Sequence, residues 1–407
     1  LPKGQQDLTV SDVTSGATFI GLVGFIDPPR EEVRPAIREC RTAGIGVKMI
    51  TGDHAATATA IARELALAPE PRTLTGNQLD DIDDADLPGV VRATTVFART
   101  TPSHKLRLVK ALQEEQAVTA MTGDGVNDAP ALKRADVGVA MGRKGTDAAK
   151  EAAEIVLADD NFASIVAAVR EGRTVYDNLR KVIAWTLPTN GGEGAALIGA
   201  IAFNLTLPMT AIQILWINMV TVVALGLTLA FEPTERGTMT RPPRKATDSL
   251  LSGTLLWRTL FVSFLFVLGA FGIFFYAMER GLSVDMARTM VVNTIVVMEI
   301  AYLFSVRFIH GASLTWRGLL GTPAVLAGVT VTVLAQLAFT YLPLLQKVFA
   351  TEPVGPLDGL LIVGIGLALL ALVELEKVIF AFFGGRGGAR HSAVSYTHLR
   401  AHETRYV

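Results

Sequence analysis

Apolar positions fall into two regimes along this chain. In the first part they form short β-branched runs: ATFIGLVGFI (17–26), IGVKMI (45–50), TTVFAR (94–99), AVTAM (117–121), VGVAM (137–141) and EIVLA (154–158). Each has the length and composition of a buried strand. Between them lie helix-period stretches at 30–44, 54–67, 102–115 and 128–135. Strand then helix, repeated, predicts a parallel sheet covered on both faces, an α/β domain over 1–165. Further on, the runs lengthen. Segments near 182–203, 208–231, 255–277, 289–309, 322–345 and 357–383 each approach the roughly twenty residues a hydrocarbon core demands. They predict an all-α membrane domain of six transmembrane helices over 166–385.

Composition sharpens this division. Half of the 407 residues are hydrophobic, and the excess lies in the second regime. A formal net charge of −1 gives no broad basic field, so nucleic acid is not an expected partner. The single cysteine, Cys40, excludes an intramolecular disulfide and reads as a core residue. The chain opens at Leu1 without a leader pattern and is expected to be the inner part of a longer protein. At the far end, 391–407 (HSAVSYTHLRAHETRYV) has no periodicity and reads as a non-native tail, whose histidines are given no metal role. The connectors near 232–254 and 307–321 carry Arg236, Arg241, Arg244, Lys245, Arg307 and Arg317. By the positive-inside rule, that side and the α/β domain face the cytoplasm.

In parallel sheets, chemistry collects where strands run out into helix N-termini. Three loops occupy such places: TGD (51–53), TPSHK (101–105) and TGDGVND (122–128). Gly123 and Gly125 are expected to permit positive φ and a close backbone approach, while Asp124 and Asp128 present carboxylates near a helix start. Two acids beside a phosphate need a cation between them, and Mg²⁺ favours carboxylate, water and phosphate oxygens. Asn127 and Thr51 can donate to phosphate oxygens, and Lys105 supplies a point charge. Any one of these loops alone reads as a turn with a solvated Asp. All three in one alternating domain argue for a phosphate site.

The strings TGDGVNDAPALKRADVGVAMG, DPPREEV (27–33), MITGD (49–53), FARTTPSHKLRLVKALQ (97–113) and VLADDNFASI (156–165) resemble the phosphorylation domain of P-type cation-pumping ATPases. The resemblance runs from about residue 17 to 385. It implies a haloacid-dehalogenase-like, Rossmann-like fold. Asp124 would ligate Mg²⁺, and Thr51, Lys105, Asn127 and Asp128 would surround an aspartyl phosphate. Asp53 would lie nearby, and Arg30 and Arg99 would reach ATP. The family's acceptor Asp, in an Asp-Lys-Thr-Gly-Thr run, is not in this sequence. It is expected upstream with the nucleotide domain, so this chain alone should not turn over ATP.

Polar groups inside apolar spans mark function by default. Asn190 and Glu193 lie three apart in LPTNGGEGAAL, expected on one helical face, where Pro188 and several glycines loosen the backbone. Asn218 and Thr221 lie three apart in QILWINMVT, and Glu299 interrupts VVMEIAYLF. The bland reading of Asn218 and Thr221 is interhelical hydrogen bonding. Asn204, Glu374 and Glu376 lie nearer span ends and read as structural. The family resemblance implies that Asn190, Glu193, Asn218, Thr221 and Glu299 fall on cation ligands of calcium pumps. Val222 stands where those pumps carry an Asp, which favours one cation, or a cation other than calcium. The implied activity is ATP-driven cation transport through an aspartyl phosphate, in a protein of the lipid bilayer, with a prokaryotic plasma membrane as the expected location. The alternatives are a membrane-anchored phosphatase of the haloacid-dehalogenase type and a non-catalytic membrane subunit. The uninterrupted helical stretch 162–185 is expected to carry motion between the two sites.

Overall fold

The computed structural model describes residues 18–21, 23, 29–244, 252–307 and 321–392. The chain divides into two units, Leu1–Ser164 and Ile165–Val407. The first contains, in order, α1 (Val33–Thr42), β1 (Met49–Thr51), α2 (Ala55–Glu64), β2 (Thr73–Thr75), α3 (Gly76–Asp80), α4 (Leu87–Ala93), β3 (Val96–Ala98), α5 (Pro102–Glu114), β4 (Ala120–Gly123), α6 (Ala129–Arg134), β5 (Val137–Met141), α7 (Asp147–Ala152) and β6 (Ile155–Leu157). Every strand pairing is parallel, as strand–helix alternation requires.

The expected single sheet is two. Hydrogen bonding gives one three-stranded sheet ordered β1-β3-β2 and another ordered β4-β5-β6, so β1 and β4 are edge strands. Ile50 of β1 nevertheless packs against the apolar clusters of both, around Met121 and around Phe97. Half of the strand expected at 17–26 lies outside the described residues, and its described positions 18–21 and 23 form no strand. Cys40 is buried with Ala36 and Ile37 on the inner face of α1.

The second unit contains most of α8 (Phe162–Ala202), then α9 (Ala211–Ala224), α10 (Gly253–Glu279), α11 (Val284–Val306), α12 (Pro323–Tyr341), α13 (Pro343–Phe349) and α14 (Pro356–Ser392). Among the described residues, five helical segments are long and apolar enough to cross a membrane: Ala211–Phe231, Gly253–Glu279, Val284–Val306, Pro323–Tyr341 and Pro356–Phe380. The sixth predicted span, 182–203, is helical but is not among them; its TNGGEG stretch lowers the hydropathy below that of a lipid-facing span. The helix α11 is central, with 72% of its span buried, and packs most extensively on α10 and α14. Beyond α9 the backbone tightens into a 3₁₀ turn, Gly226–Phe231.

Of the six basic connector residues, Lys245 and Arg317 lie outside the described residues. Two others are consumed internally: Arg241 pairs with Asp177, and buried Arg307 pairs with Glu232 at 2.8 Å. They are structural charges as much as topological signals.

Candidate functional site

The three loops of the first unit are wired together. Thr51 Oγ1 donates to Asp53 Oδ2 (3.0 Å) and accepts from the Asp53 backbone N–H (3.1 Å). The loop after β3 returns to it: Arg99 N donates to Asp53 O and Thr100 N to Thr51 O, both at 3.2 Å. Arg99 holds a left-handed backbone (φ 52°), which turns the chain from β3 into α5. From the first turn of α5, Lys105 Nζ reaches Asp128 Oδ1 at 2.5 Å.

Asp128 is the hub of the TGDGVND loop. Its Oδ2 accepts the backbone N–H groups of Asp124 and Gly125, each at 3.2 Å, while Oδ1 takes Lys105. The carboxylate is buried, and these donors replace its water. Neither glycine has positive φ, contrary to expectation. Gly123 is needed for another reason: a Cβ there would lie 2.5 Å from Asp128 Cβ. At Gly125 an added Cβ would meet only ordinary contacts, from 3.7 Å outward.

With Asp128 so engaged, Asp124 and Asn127 are left exposed, and among the described residues the Asp124 carboxylate takes no hydrogen bond or ion pair. Among the described residues no group of three His, Cys, Asp or Glu side chains could hold a metal. One free carboxylate nevertheless suits Mg²⁺, which keeps several waters and takes one or two carboxylates beside phosphate oxygens. Arg99 is exposed beside these loops. Arg30 is held elsewhere: Nη1 donates to Asp160 O at 3.0 Å. Asp160 Oδ1 and Oδ2 accept the N–H groups of Arg143 (3.0 Å) and Lys144 (2.9 Å), which depresses its pKa.

In the second unit, Glu193 of α8 and Glu299 of α11 are both buried, on different helices. Asn218 Nδ2, from α9, donates to Glu193 Oε2 at 2.8 Å. Buried Thr221 lies within hydrogen-bonding reach of Glu299, and the Glu193 carboxylate is near enough for the two acids to interact electrostatically. Among the described residues Glu193 Oε1 and Glu299 Oε2 are buried with no hydrogen-bond partner, so the cluster presents unfilled oxygens, which suit a cation rather than an anion. Asn190 does not join it. Three residues leave about 60° between side chains on a helix, and Asn190 is exposed where Glu193 is buried. Val222 is likewise turned outward, 37% exposed.

Residues that sequence reasoning missed hold these carboxylates in place. Trp185 Nε1 donates to the backbone carbonyl of Glu299 (3.2 Å), and Tyr302 Oη donates to Ala184 O (2.9 Å), locking α8 to α11. The missing side chain of Gly192 lets α8 and α10 touch; a Cβ there would lie 2.4 Å from Phe266 Cβ. Near the span ends, Glu374 pairs with Lys377 (2.7 Å) and accepts from Ser305, and Glu376 pairs with Arg258 (3.0 Å).

Residues 3–136 match the family profile described as haloacid dehalogenase-like hydrolase, and 206–379 match cation transporting ATPase, C-terminus. The chain belongs to the P-type cation-transporting ATPases. It is 48% identical over 381 residues to "Probable cation-transporting ATPase F" of Mycobacterium tuberculosis, covering 92% of this chain and 41% of that protein. It is 41% identical over 364 residues to "Calcium-transporting ATPase" of Bacillus subtilis (89% of this chain, 41% of that protein). The human "Calcium-transporting ATPase type 2C member 2" is 39% identical over 364 residues (89% and 38%). The chain thus spans about two fifths of the length of the curated relatives it matches.

Proposed function

We propose that this chain serves, within a complete pump, ATP-driven cation transport across a membrane through an aspartyl-phosphate intermediate. The observation that carries the transport half is the set Glu193, Glu299 and Thr221, all buried, with half-buried Asn218 beside them and two carboxylate oxygens left unpartnered among the described residues of an apolar bundle. A soluble phosphatase tethered by helices has no use for such a set. The relatives' calcium-transporting members support a divalent cation, and the two carboxylates would neutralise one. Asn190, being exposed, would act only if a further helix packed against α8.

In the phosphoryl half, Lys105 and Thr51 would bind and orient the phosphoryl oxygens, Asn127 would donate to them, and Asp128 would hold Lys105 and the loop. Asp53 fixes the Thr51 hydroxyl. Asp124 would hold Mg²⁺, which supplies charge neutralisation on the transferred phosphoryl group. Arg99, exposed beside the loops, would meet ATP; Arg30, anchored on Asp160, is the weaker candidate. The acceptor Asp would come from sequence outside these residues, on a strand that pairs with edge strand β1 or β4, both of which end in functional loops. We assign the 182–203 segment as a sixth, polar span, shielded by neighbouring helices, with the first unit on the cytoplasmic side of a prokaryotic plasma membrane. The domain limits 1–165 and 166–385 belong to the same proposal, as does treating 391–407 as foreign sequence.

Phosphorylation of the full-length protein by labelled ATP, with the cation concentration varied, tests this reading. Cation-dependent, hydroxylamine-sensitive label is expected, with the cation requirement shifted at least about tenfold by Glu193→Gln or Glu299→Gln. Cation-independent turnover of soluble phosphate esters would instead support the phosphatase.

A further inference from the structure

Among the described residues three helices begin with a reciprocal Thr cap, and one of them differs from the other two in a single capping residue. At α3, Thr75 N donates to Gln78 Oε1 (2.9 Å); at α9, Thr210 N donates to Gln213 Oε1 (3.0 Å). In each, a Thr N-cap meets a Gln three residues on, a common way to satisfy the orphan donors of a helix start. At α5 the Thr is Thr101 and the third residue is His104, whose Nδ1 accepts the Thr101 N–H at 3.1 Å. A glutamine would cap as well. The imidazole does one thing more.

With Nδ1 accepting, Nε2 carries the ring proton, and it lies 2.7 Å from Asp80 Oδ1 at the end of α3. His104 is buried, only 6% exposed, and wedged tightly: a Cβ on Gly76 would lie 2.8 Å from its ring and 2.5 Å from Arg99 O. One turn later Arg107 continues the attachment, donating to Asp84 Oδ1 (2.8 Å) and to Leu79 O (2.6 Å). The start of α5 is therefore pinned to the 76–84 segment by a ring that also caps it. The residue immediately after that ring is Lys105.

We propose that Asp80 and His104 form a brace that sets the position of Lys105, making both positioning residues for the phosphoryl step. Neither touches the phosphoryl group; they act through Lys105 and its 2.5 Å contact with Asp128. The cap alone orders the helix start, but the Asp80 link fixes its rotation against α3, and so the direction in which the Lys105 side chain leaves. Displacement of a catalytic charge by about 1 Å costs up to a hundredfold in rate. The inference rests on the proposed phosphoryl transfer, and its test separates the two.

The test uses the full-length protein with His104→Gln, Asp80→Asn, the double variant and His104→Ala. Phosphoenzyme formation and decay are followed at saturating and limiting ATP, and hydrogen exchange over 99–108 is measured in parallel. His104→Gln keeps the cap and should leave exchange at Thr101 unchanged, yet slow phosphoenzyme formation or decay about tenfold or more with the ATP half-saturation unmoved. Asp80→Asn should match it, and the double variant should be no slower than either single. His104→Ala should lose both cap and rate. The brace is overturned if His104→Gln and Asp80→Asn run at wild-type rates, or if their losses multiply in the double variant. If the wild-type protein forms no phosphoenzyme, the proposed function fails instead. The brace is then judged on exchange alone, where unchanged protection from residue 102 to 108 in both single variants would sink it.

Discussion

Pro188 removes one backbone N–H from the middle of α8, and the loss falls on the carbonyl four residues earlier, Ala184. Tyr302 of α11 fills the vacancy with its hydroxyl at 2.9 Å, so a helix defect becomes an interhelical bond beside the two carboxylates. Tyr302→Phe should leave that buried carbonyl unpaired at a cost of about 1–3 kcal/mol. Thermal unfolding in detergent checks this, and Pro188→Ala in the same background should recover most of the loss by restoring the helical N–H. The sequence made Pro188 readable as a loosened backbone beside Glu193. Its partner, 118 positions away, was not readable, because pairing across helices leaves no local spacing. Gly123 is the converse case. Its identity was legible as a tight loop, but the cause is the Asp128 side chain lying against it, not a left-handed φ.

At the scale of elements, one stripe of α8 is buried although polar: Thr174, Asp177, Asn178 and Lys181. They and Arg173 are spaced to share a face, and all engage the connector after α9. Arg173 donates to Thr238 O (2.9 Å) and Arg241 O (2.8 Å), Thr174 bonds Thr234 (2.7 Å), Asn178 donates to Glu232 O (2.7 Å), and Lys181 pairs with Glu235 (2.8 Å). The connector passes the attachment on, because the Glu232 carboxylate holds buried Arg307 at the end of α11. Removing one member of a buried ion pair is costly, so Glu232→Ala should destabilise the membrane bundle by about 3 kcal/mol. Replacing both partners with apolar residues should cost much less, read by denaturant titration in detergent. Sequence periodicity made most helices and five of the six buried runs legible. It missed β2, α3, α4 and α7, since TLT, GNQLD and DAAKEA are too short to show a period and LPGVV carries Pro and Gly at its start. It also placed Asn190 with Glu193 on one face, where a helix with an exposed side separates them.

Across the whole molecule, the phosphate loops and the buried carboxylates belong to different units, and α8 is the continuous element common to both, running without a break from Phe162 to Ala202. A helix transmits displacement best where its hydrogen-bond ladder is intact, which for α8 means the stretch ahead of the defect at Pro188. Its polar stripe bears on where to test the coupling. A flexible insertion within 172–178 would break the ladder but also strip Arg173, Thr174, Asp177 and Asn178 from the connector, confounding coupling with stability. Ala167 and Ala168 are exposed and precede the stripe, so a Gly-Ser insertion after Ala168 severs the rod alone. In the complete protein this variant should still form phosphoenzyme from ATP, but with the dependence on the transported cation flattened at least about tenfold. Phosphorylation measured against cation concentration, beside transport into vesicles, reads both quantities. Retained transport with an unchanged cation requirement would mean that coupling runs outside α8, through the connector or through sequence beyond this chain.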